Sequence, residues 1–158
     1  MKLKTIASGS KGNCYLLETD KGSLLIEAGI TINQIKSALK YNCSNIIGCL
    51  MSHEHMDHAK SIKDIAKLGI DVYASRGTFE ALNCVGHRFI PMVPKQTKVI
   101  GELEVLPFQT EHDAIEPLGF LIRYRDKKLL FATDTCYLRY KFLGLTHLAI
   151  ECNYVRSI

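Results

Sequence analysis

Residues 52–58 read Ser-His-Glu-His-Met-Asp-His and directly follow an apolar run at residues 46–51. Half of the six histidines in the chain therefore lie in one short segment. A solvent-facing loop that holds them by chance is the alternative, and so tight a clustering disfavours it. Imidazole and carboxylate groups are the ligands that Zn²⁺ and similar divalent ions take in proteins. The segment predicts a metal site at the end of a strand, built from His53, His55, Asp57 and His58.

The spacing inside this segment favours two metal ions over one. On a loop that leaves a strand, His53 and His55 can point one way while Asp57 and His58 point another. Close metal pairs serve displacement at phosphorus and the hydrolysis of acyl groups. The segment therefore predicts a hydrolase.

Two later polar residues also follow apolar segments. His112 follows residues 103–108, and Asp134 follows residues 129–132. Alone, such a histidine is more often a surface or core residue, and such an aspartate a turn or cap residue. Beside the histidine-rich segment, both become candidate metal ligands.

The hydrophobic pattern predicts one α/β or α+β domain over residues 1–158, packed in layers. Proline is expected to confine strands to edges or ends, at Pro91, Pro94 and Pro107. Helices are predicted at residues 31–41, 61–68 and 78–82. Strands are predicted at residues 15–20, 23–27, 46–51, 71–74, 89–93, 98–107, 120–124, 129–132 and 147–151.

Charge and apolar content limit the choice of partner and compartment. The net charge is +4, and the densest basic cluster is read as a solvated strand end and turn, with attraction of a phosphate-bearing substrate as the alternative. The sequence shows no extended basic stripe of the kind that binds a long nucleic-acid backbone. No apolar run spans a bilayer and no signal peptide is recognised, so we expect a cytoplasmic protein with reduced cysteines and no membrane partner. The basic cluster comprises Arg123, Arg125, Lys127 and Lys128.

The pattern His-x-His-x-Asp-His after a strand, then a single histidine, then Thr-Asp after another strand, resembles the metallo-β-lactamase superfamily. Four further segments are similar to its branch of small bacterial and phage phosphodiesterases and nucleases, above all to the anti-Pycsar cyclic-nucleotide phosphodiesterases. These segments are residues 8–13, 25–29, 117–120 and 150–153.

The resemblance implies an αββα sandwich that holds two divalent metal ions, zinc or alternatively manganese. A hydroxide between the metals would be the nucleophile, and Asp57 would orient it as a catalytic residue. Glu27 stands where relatives carry aspartate and would hold a ligand imidazole, or would simply be a buried residue at a strand end. The implied ligands are His53, His55 and His112 for the first metal, Asp57 and His58 for the second, and Asp134 between them.

Members of the family are expected to continue to a seventh ligand, a histidine near the C-terminus. This chain stops at Ile158, so the resemblance implies that it lacks a C-terminal portion of the domain. A partner chain, His147 or water would then complete the second metal site.

The same resemblance implies hydrolysis of cyclic mononucleotides, such as cyclic CMP and cyclic UMP, by a homodimer that counteracts signalling in phage defence. A phage-encoded chain would act in the host cytoplasm. A DNA or RNA nuclease of the same fold is the first alternative, distinguished by a basic surface around the metals. A truncated, non-catalytic metal-binding domain is the second, favoured by the missing seventh ligand.

Overall fold

The computed structural model describes residues 1–151 as two β-sheets packed face to face. The first sheet has the strand order β1-β2-β3-β4-β5-β6, and the second has the order β11-β10-β9-β8-β7. The first sheet comprises β1 (Lys2–Ala7), β2 (Cys14–Thr19), β3 (Gly22–Ile26), β4 (Ile46–Leu50), β5 (Val72–Ala74) and β6 (Phe89–Pro91). The second comprises β7 (Lys98–Ile100), β8 (Leu103–Gln109), β9 (Leu118–Tyr124), β10 (Lys127–Ala132) and β11 (His147–Ile150).

The first sheet changes from antiparallel to parallel at β3. Parallel neighbours need crossover connections, and short helices supply them between β3 and β6. The first helix is fixed at its start by a reciprocal pair of bonds between Thr31 and Gln34. The helices are α1 (Ile32–Ala38), α2 (Met56–Ala59), α3 (Ile62–Lys67) and α4 (Arg76–Ala81).

Apolar residues divide into layers on both faces of the sheets. Between the sheets, Leu24 and Leu50 of the first pack with Phe120 and Phe131 of the second. The outer face of the first sheet packs against the helices, and Ile35 of α1 is fully buried there. On the outer face of the second sheet, an irregular segment between β10 and β11 covers a third, smaller cluster. The predicted α/β class with packed sheets is confirmed.

Three local features were predicted incompletely or not at all. Residues 98–107 were expected as one strand but form a hairpin, which turns at Gly101 with a φ of +58°. Pro107 lies inside β8 and not at its end, but at a position where one side of the strand is an unpaired edge. The short strand β7 pairs only as far as Val105, so the missing amide of Pro107 faces no strand partner. Strand β1 was not anticipated.

Three cations of the basic cluster carry carboxylate partners on the sheet surface. Arg123 binds Glu104 at 2.6 Å, and Arg125 binds Asp20 at 2.8 Å. Lys127 lies 3.2 Å from Asp126. These pairs support the interpretation of the cluster as a solvated strand end and turn.

Two further expectations concern cysteines and membranes. The five cysteines in the described residues are free thiols, and two of them, Cys14 and Cys49, are buried. Cys152 and Asn153 lie outside the described residues. Among residues 1–151, no helix has the length and apolar character needed to cross a bilayer.

Candidate metal centre

The histidine-rich segment leaves β4 at its carboxyl end, between the parallel neighbours β3 and β5. The segment is not entirely a loop, because Met56–Ala59 forms the helical turn α2. His53 and His58 are buried, with 1% and 0% of their surface exposed. The turn places Asp57 on the more exposed side, where 36% of its side chain is accessible.

The segments before β2 and after β3 hold α2 in place through backbone contacts. The Asn13 amide donates to the Asp57 carbonyl at 2.7 Å, and the Ala28 amide donates to the His58 carbonyl at the same distance. The Gly29 amide in turn donates to the Asn13 carbonyl at 2.8 Å. A Cβ atom on Gly29 would lie 1.6 Å from the Asp57 carbonyl oxygen. Only glycine fits this close approach.

The second sheet supplies His112 and Asp134. Strands β8 and β10 are both antiparallel to β9, so they run in the same direction and end at the same edge. His112 follows β8 and Asp134 follows β10. Asp134 has a φ of +45°, a left-handed conformation that turns its carboxylate toward the histidines.

Five of the six predicted metal ligands meet in two overlapping clusters. The ligand atoms of each cluster lie within 4.8 Å of one another. The first cluster is His53, His55 and His112, and the second is His53, His58 and Asp134.

The Asp134 carboxylate lies near histidines of both clusters, which share His53. Its Oδ2 atom lies 2.7 Å from His58 Nε2, 3.4 Å from His53 Nε2 and 3.8 Å from His112 Nε2. Asp57 belongs to neither cluster, although its Oδ2 lies 3.5 Å from His58 Nε2. The division of ligands between two metals stays a prediction.

The donor groups fit divalent metals. Four imidazole rings pack with neighbouring centroids 4.3–4.9 Å apart. Within the described residues, His53 Nε2 is buried without a hydrogen-bond partner. Buried polar atoms normally have partners, so this unpaired imidazole nitrogen, which faces the Asp134 carboxylate, fits a role as a metal ligand.

Burial and mutual repulsion control the protonation of the histidines. Burial, followed by the neighbouring His58, His112 and His55, lowers the pKa of His53 to about 2. The pKa of His112 is lowered for the same kinds of reason. Both imidazoles are neutral at physiological pH, which is the form that binds metals.

His58 and Asp134 shift in the opposite direction. Burial lowers the pKa of His58, but the neighbouring Glu27 carboxylate, with Asp134 and Asp57, outweighs it and raises this pKa to about 9. Burial and a hydrogen bond with Glu151 raise the pKa of Asp134 to about 6. Without metal, the His58 cation balances the surrounding carboxylates.

Glu27 lies beneath His58. Its side chain is fully buried, and Oε2 lies 3.6 Å from His58 Nδ1 and accepts from the Ser52 amide at 3.3 Å. Its backbone is left-handed, with a φ of +64°. This placement matches the expected contact with a ligand imidazole, and the extra methylene relative to aspartate is accommodated.

Sequence reasoning assigned no role to three residues that contact the centre. Asn13 Nδ2 lies 3.1 Å from His58 Nε2, and Glu151 Oε2 accepts from the Asp134 amide at 3.0 Å. Glu54 Oε1 accepts from the Ile115 amide at 2.8 Å and so fastens the loop that carries His112. Asn13 and Glu151 lie in segments that carried the family resemblance, which was the available signal. Nothing in the sequence pointed to Glu54 beyond its place between two histidines.

His147 lies away from the centre. It pairs with Leu129 at the start of the parallel strands β10 and β11, whereas Asp134 follows their other end. At about 3.3 Å per residue, this places it roughly 10 Å or more from the ligands. Of the three alternatives for completing the second metal site, this placement disfavours His147.

Comparisons with known proteins agree with this architecture. A family model described as "Beta-lactamase superfamily domain" matches residues 23–151. Exodeoxyribonuclease WalJ of Streptococcus pneumoniae is 31% identical over 170 positions, which cover 97% of this chain and 62% of that protein. Exodeoxyribonuclease YycJ of Bacillus anthracis is 32% identical over 155 positions, covering 92% and 58%. This chain thus spans about three fifths of the length of these relatives.

Solved structures show the same fold. The metallo-β-lactamase fold protein YhfI of Bacillus subtilis superposes with a TM-score of 0.66 at 16% identity. The superposition covers 81% of this chain and 60% of that one.

Proposed function

The chain belongs to the beta-lactamase superfamily, and from that premise we propose that it is a metal-dependent hydrolase of DNA phosphodiester bonds. The observation that carries the proposal is the pair of overlapping ligand clusters, with the Asp134 carboxylate facing both. Close metal pairs suit in-line displacement at phosphorus. DNA is favoured as the substrate because two relatives that align with nearly all of this chain are named exodeoxyribonucleases.

The proposed ligands divide as the family resemblance implies, with His53 assigned to the first metal and Asp57 added to the second. His53, His55 and His112 would hold one metal, and His58, Asp57 and Asp134 the other, with Asp134 reaching both. Zinc fits a centre this rich in imidazole, and manganese is the alternative. Metals held there would supply Lewis-acid chemistry to the phosphoryl group.

Asp57 is the proposed catalytic residue. Its carboxylate is the most exposed of the proposed ligands on α2, beside His58 Nε2 at the mouth of the centre. From this position it can orient an attacking water and accept its proton. Glu27 acts on the other side of the same imidazole, where it fixes the His58 ring through Nδ1.

Hydrolysis of cyclic mononucleotides remains a prediction that ranks below hydrolysis of DNA. The metal centre suits a cyclic phosphodiester as well as a linear one, but the relatives' names favour a polymer. A role against phage defence and a homodimeric state also remain predictions. A metal-binding domain without catalysis is the remaining alternative.

The test is a substrate panel with zinc-loaded or manganese-loaded protein. The panel contains end-labelled single-stranded and duplex DNA, RNA, cyclic CMP, cyclic UMP and bis(p-nitrophenyl) phosphate. We expect DNA to be shortened, with turnover lowered about 10²–10⁴-fold by Asp57→Asn. His87→Ala is the matched control, because His87 is an exposed histidine away from the centre.

Each alternative has its own outcome in this panel. Turnover of cyclic nucleotides alone would replace DNA as the substrate. Metal binding without turnover of any phosphodiester would leave the non-catalytic alternative. Equal activity in Asp57→Asn and the wild type would remove Asp57 from the reaction.

A further inference from the structure

The segment between β10 and β11 leaves the metal centre with alternating exposure. Leu138, Tyr140 and Phe142 pack inward against the outer face of the second sheet. Alternating with them are Tyr137, Arg139 and Lys141, which are exposed. We call these three residues the outward row. It begins three positions after Asp134 and presents one aromatic ring and two cations.

Arg139 of the outward row lines a cleft beside the strand end that carries His112. The cleft has a volume of about 600 Å³, and both Arg139 and Glu111 line it. Glu111 immediately precedes His112 in the chain. The Arg139 Nε atom lies 2.5 Å from Glu111 Oε1, which ties the row to the strand end that carries His112. Arg76 at the start of α4 also lines the cleft.

Two cations on this side of the centre are less compensated than those on the sheet surface. Within residues 1–151, neither Arg76 nor Lys141 has a carboxylate at ion-pair distance. The cleft also holds the charge of Glu116, whose Oε2 accepts from the Gly77 amide at 2.7 Å, so the positive excess rests on Arg76, Lys141 and a third cation nearby. Lys95, whose Nζ lies 5.7 Å above the ring of Tyr140, adds another positive charge to the same region. A polyanion is therefore attracted to this side of the metal centre.

The exposed ring of Tyr137 indicates which kind of polyanion this surface binds. Tyr137 is 55% exposed, and the Arg139 guanidinium carbon lies 5.9 Å from its ring centroid. An exposed ring beside arginine offers a stacking face for an unpaired base, while neighbouring lysine and arginine bind the backbone. Bases inside a duplex cannot reach such a ring. The features on this surface fit a single strand.

We propose that the outward row and the adjoining cleft bind the single DNA strand that enters the metal centre. The inference rests on the proposed function, since it assigns a binding surface to that same site. Tyr137 stacks a base, Lys141 and Arg76 contact phosphates, and Arg139 joins the row to the strand end before His112.

The test measures binding separately from cleavage. A fluorescein-labelled, phosphorothioate-linked single-stranded oligodeoxynucleotide is titrated with zinc-loaded protein, and anisotropy is followed at several salt concentrations. Tyr137→Ala is expected to weaken binding about 5–100-fold. Lys141→Ala is expected to weaken binding and to reduce the salt slope by about 0.7. Arg125→Gln is the matched control, because Arg125 is an exposed arginine paired with Asp20 on the sheet surface.

Unchanged affinity in both Tyr137→Ala and Lys141→Ala would overturn the proposal, as would an equal loss in Arg125→Gln or absence of wild-type binding. Circular dichroism of each variant identifies losses caused by misfolding. The proposed function is judged separately, from wild-type turnover of DNA and of bis(p-nitrophenyl) phosphate. If the wild type turns over DNA but the variants bind it normally, only the proposed strand-binding surface is rejected. If the variants lose binding as expected but the wild type shows no turnover, only the proposed hydrolase function is rejected.

Discussion

Replacing Gly29 by alanine tests whether the backbone contact beneath α2 determines the position of the metal ligands. The new Cβ would lie 1.6 Å from the Asp57 carbonyl oxygen and 2.7 Å from the Asn13 amide nitrogen. Ordinary van der Waals contact begins near 3.4 Å. The two backbone segments must therefore separate by roughly 2 Å, because neither neighbour is a flexible side-chain end.

Separation on this scale has two measurable costs. It stretches the bond from Asn13 to Asp57 and the bond from Gly29 to Asn13, each worth about 0.5–1.5 kcal/mol. With the steric strain, we expect a loss of about 2–4 kcal/mol in the free energy of unfolding. Alanine also restricts the unfolded chain, but that effect is only about 0.4–1 kcal/mol in the stabilising direction. A displacement of about 1 Å at a reacting group can lower turnover about 100-fold.

The assays are urea unfolding of the metal-free protein, zinc content after dialysis, and turnover of bis(p-nitrophenyl) phosphate. Gly144→Ala is the control, since Gly144 has a φ of +68° but only the end of a lysine side chain near its added Cβ, at 3.6 Å. It should lose about 1–2 kcal/mol from backbone strain and keep its zinc. Wild-type stability and zinc content in Gly29→Ala would refute the role of this contact.

Three further results are expected. In the metal-free protein the pKa of His58 is raised to about 9, so the stability that its charge contributes is complete below about pH 6.5 and is lost as pH rises toward 9. Urea unfolding at several pH values should show this fall. A fall of equal size in Glu27→Gln would contradict the role of Glu27. Glu54→Ala should free the loop that carries His112 and weaken zinc binding about 10–100-fold in a chelator competition. Glu80→Ala, which changes an exposed residue of α4, is the control and should leave zinc binding unchanged. Phe131→Ala should cost about 3–5 kcal/mol in urea unfolding, because this ring is buried between the sheets, and a loss below 1 kcal/mol would show that the core collapses around the gap.

Local patterns in the sequence were sufficient for most elements. Period-two and period-3.6 apolar spacing located the hairpin of β2 and β3 and the helices α1, α3 and α4. The pattern failed where two short strands adjoin without a break in apolar character, as at Gly101. At Pro107 the edge expectation is met only locally, because the acceptability of proline depends on how far the neighbouring strand extends.

The candidate centre was likewise predictable from local patterns only in part. Ligand types and their position after strands were enough to predict that His112 and Asp134 join the histidine-rich segment. The contacts of Asn13, Glu54 and Glu151 were not predictable, because each depends on segments brought together from distant parts of the chain. The left-handed backbone of Asp134 belongs to this second kind, since nothing in Thr-Asp-Thr demands it.

The division of the centre between the sheets has a consequence for synthesis on the ribosome. The first sheet and the histidines of its loop emerge before β8 and β10, which position His112 and Asp134. At about 5–20 residues per second, Asp134 follows His58 by on the order of 4–15 s. During that interval the nascent chain exposes a partial set of imidazoles that holds a metal ion weakly or not at all. The finished centre can form only after the second sheet has closed over the first, so metal uptake reports the completion of folding.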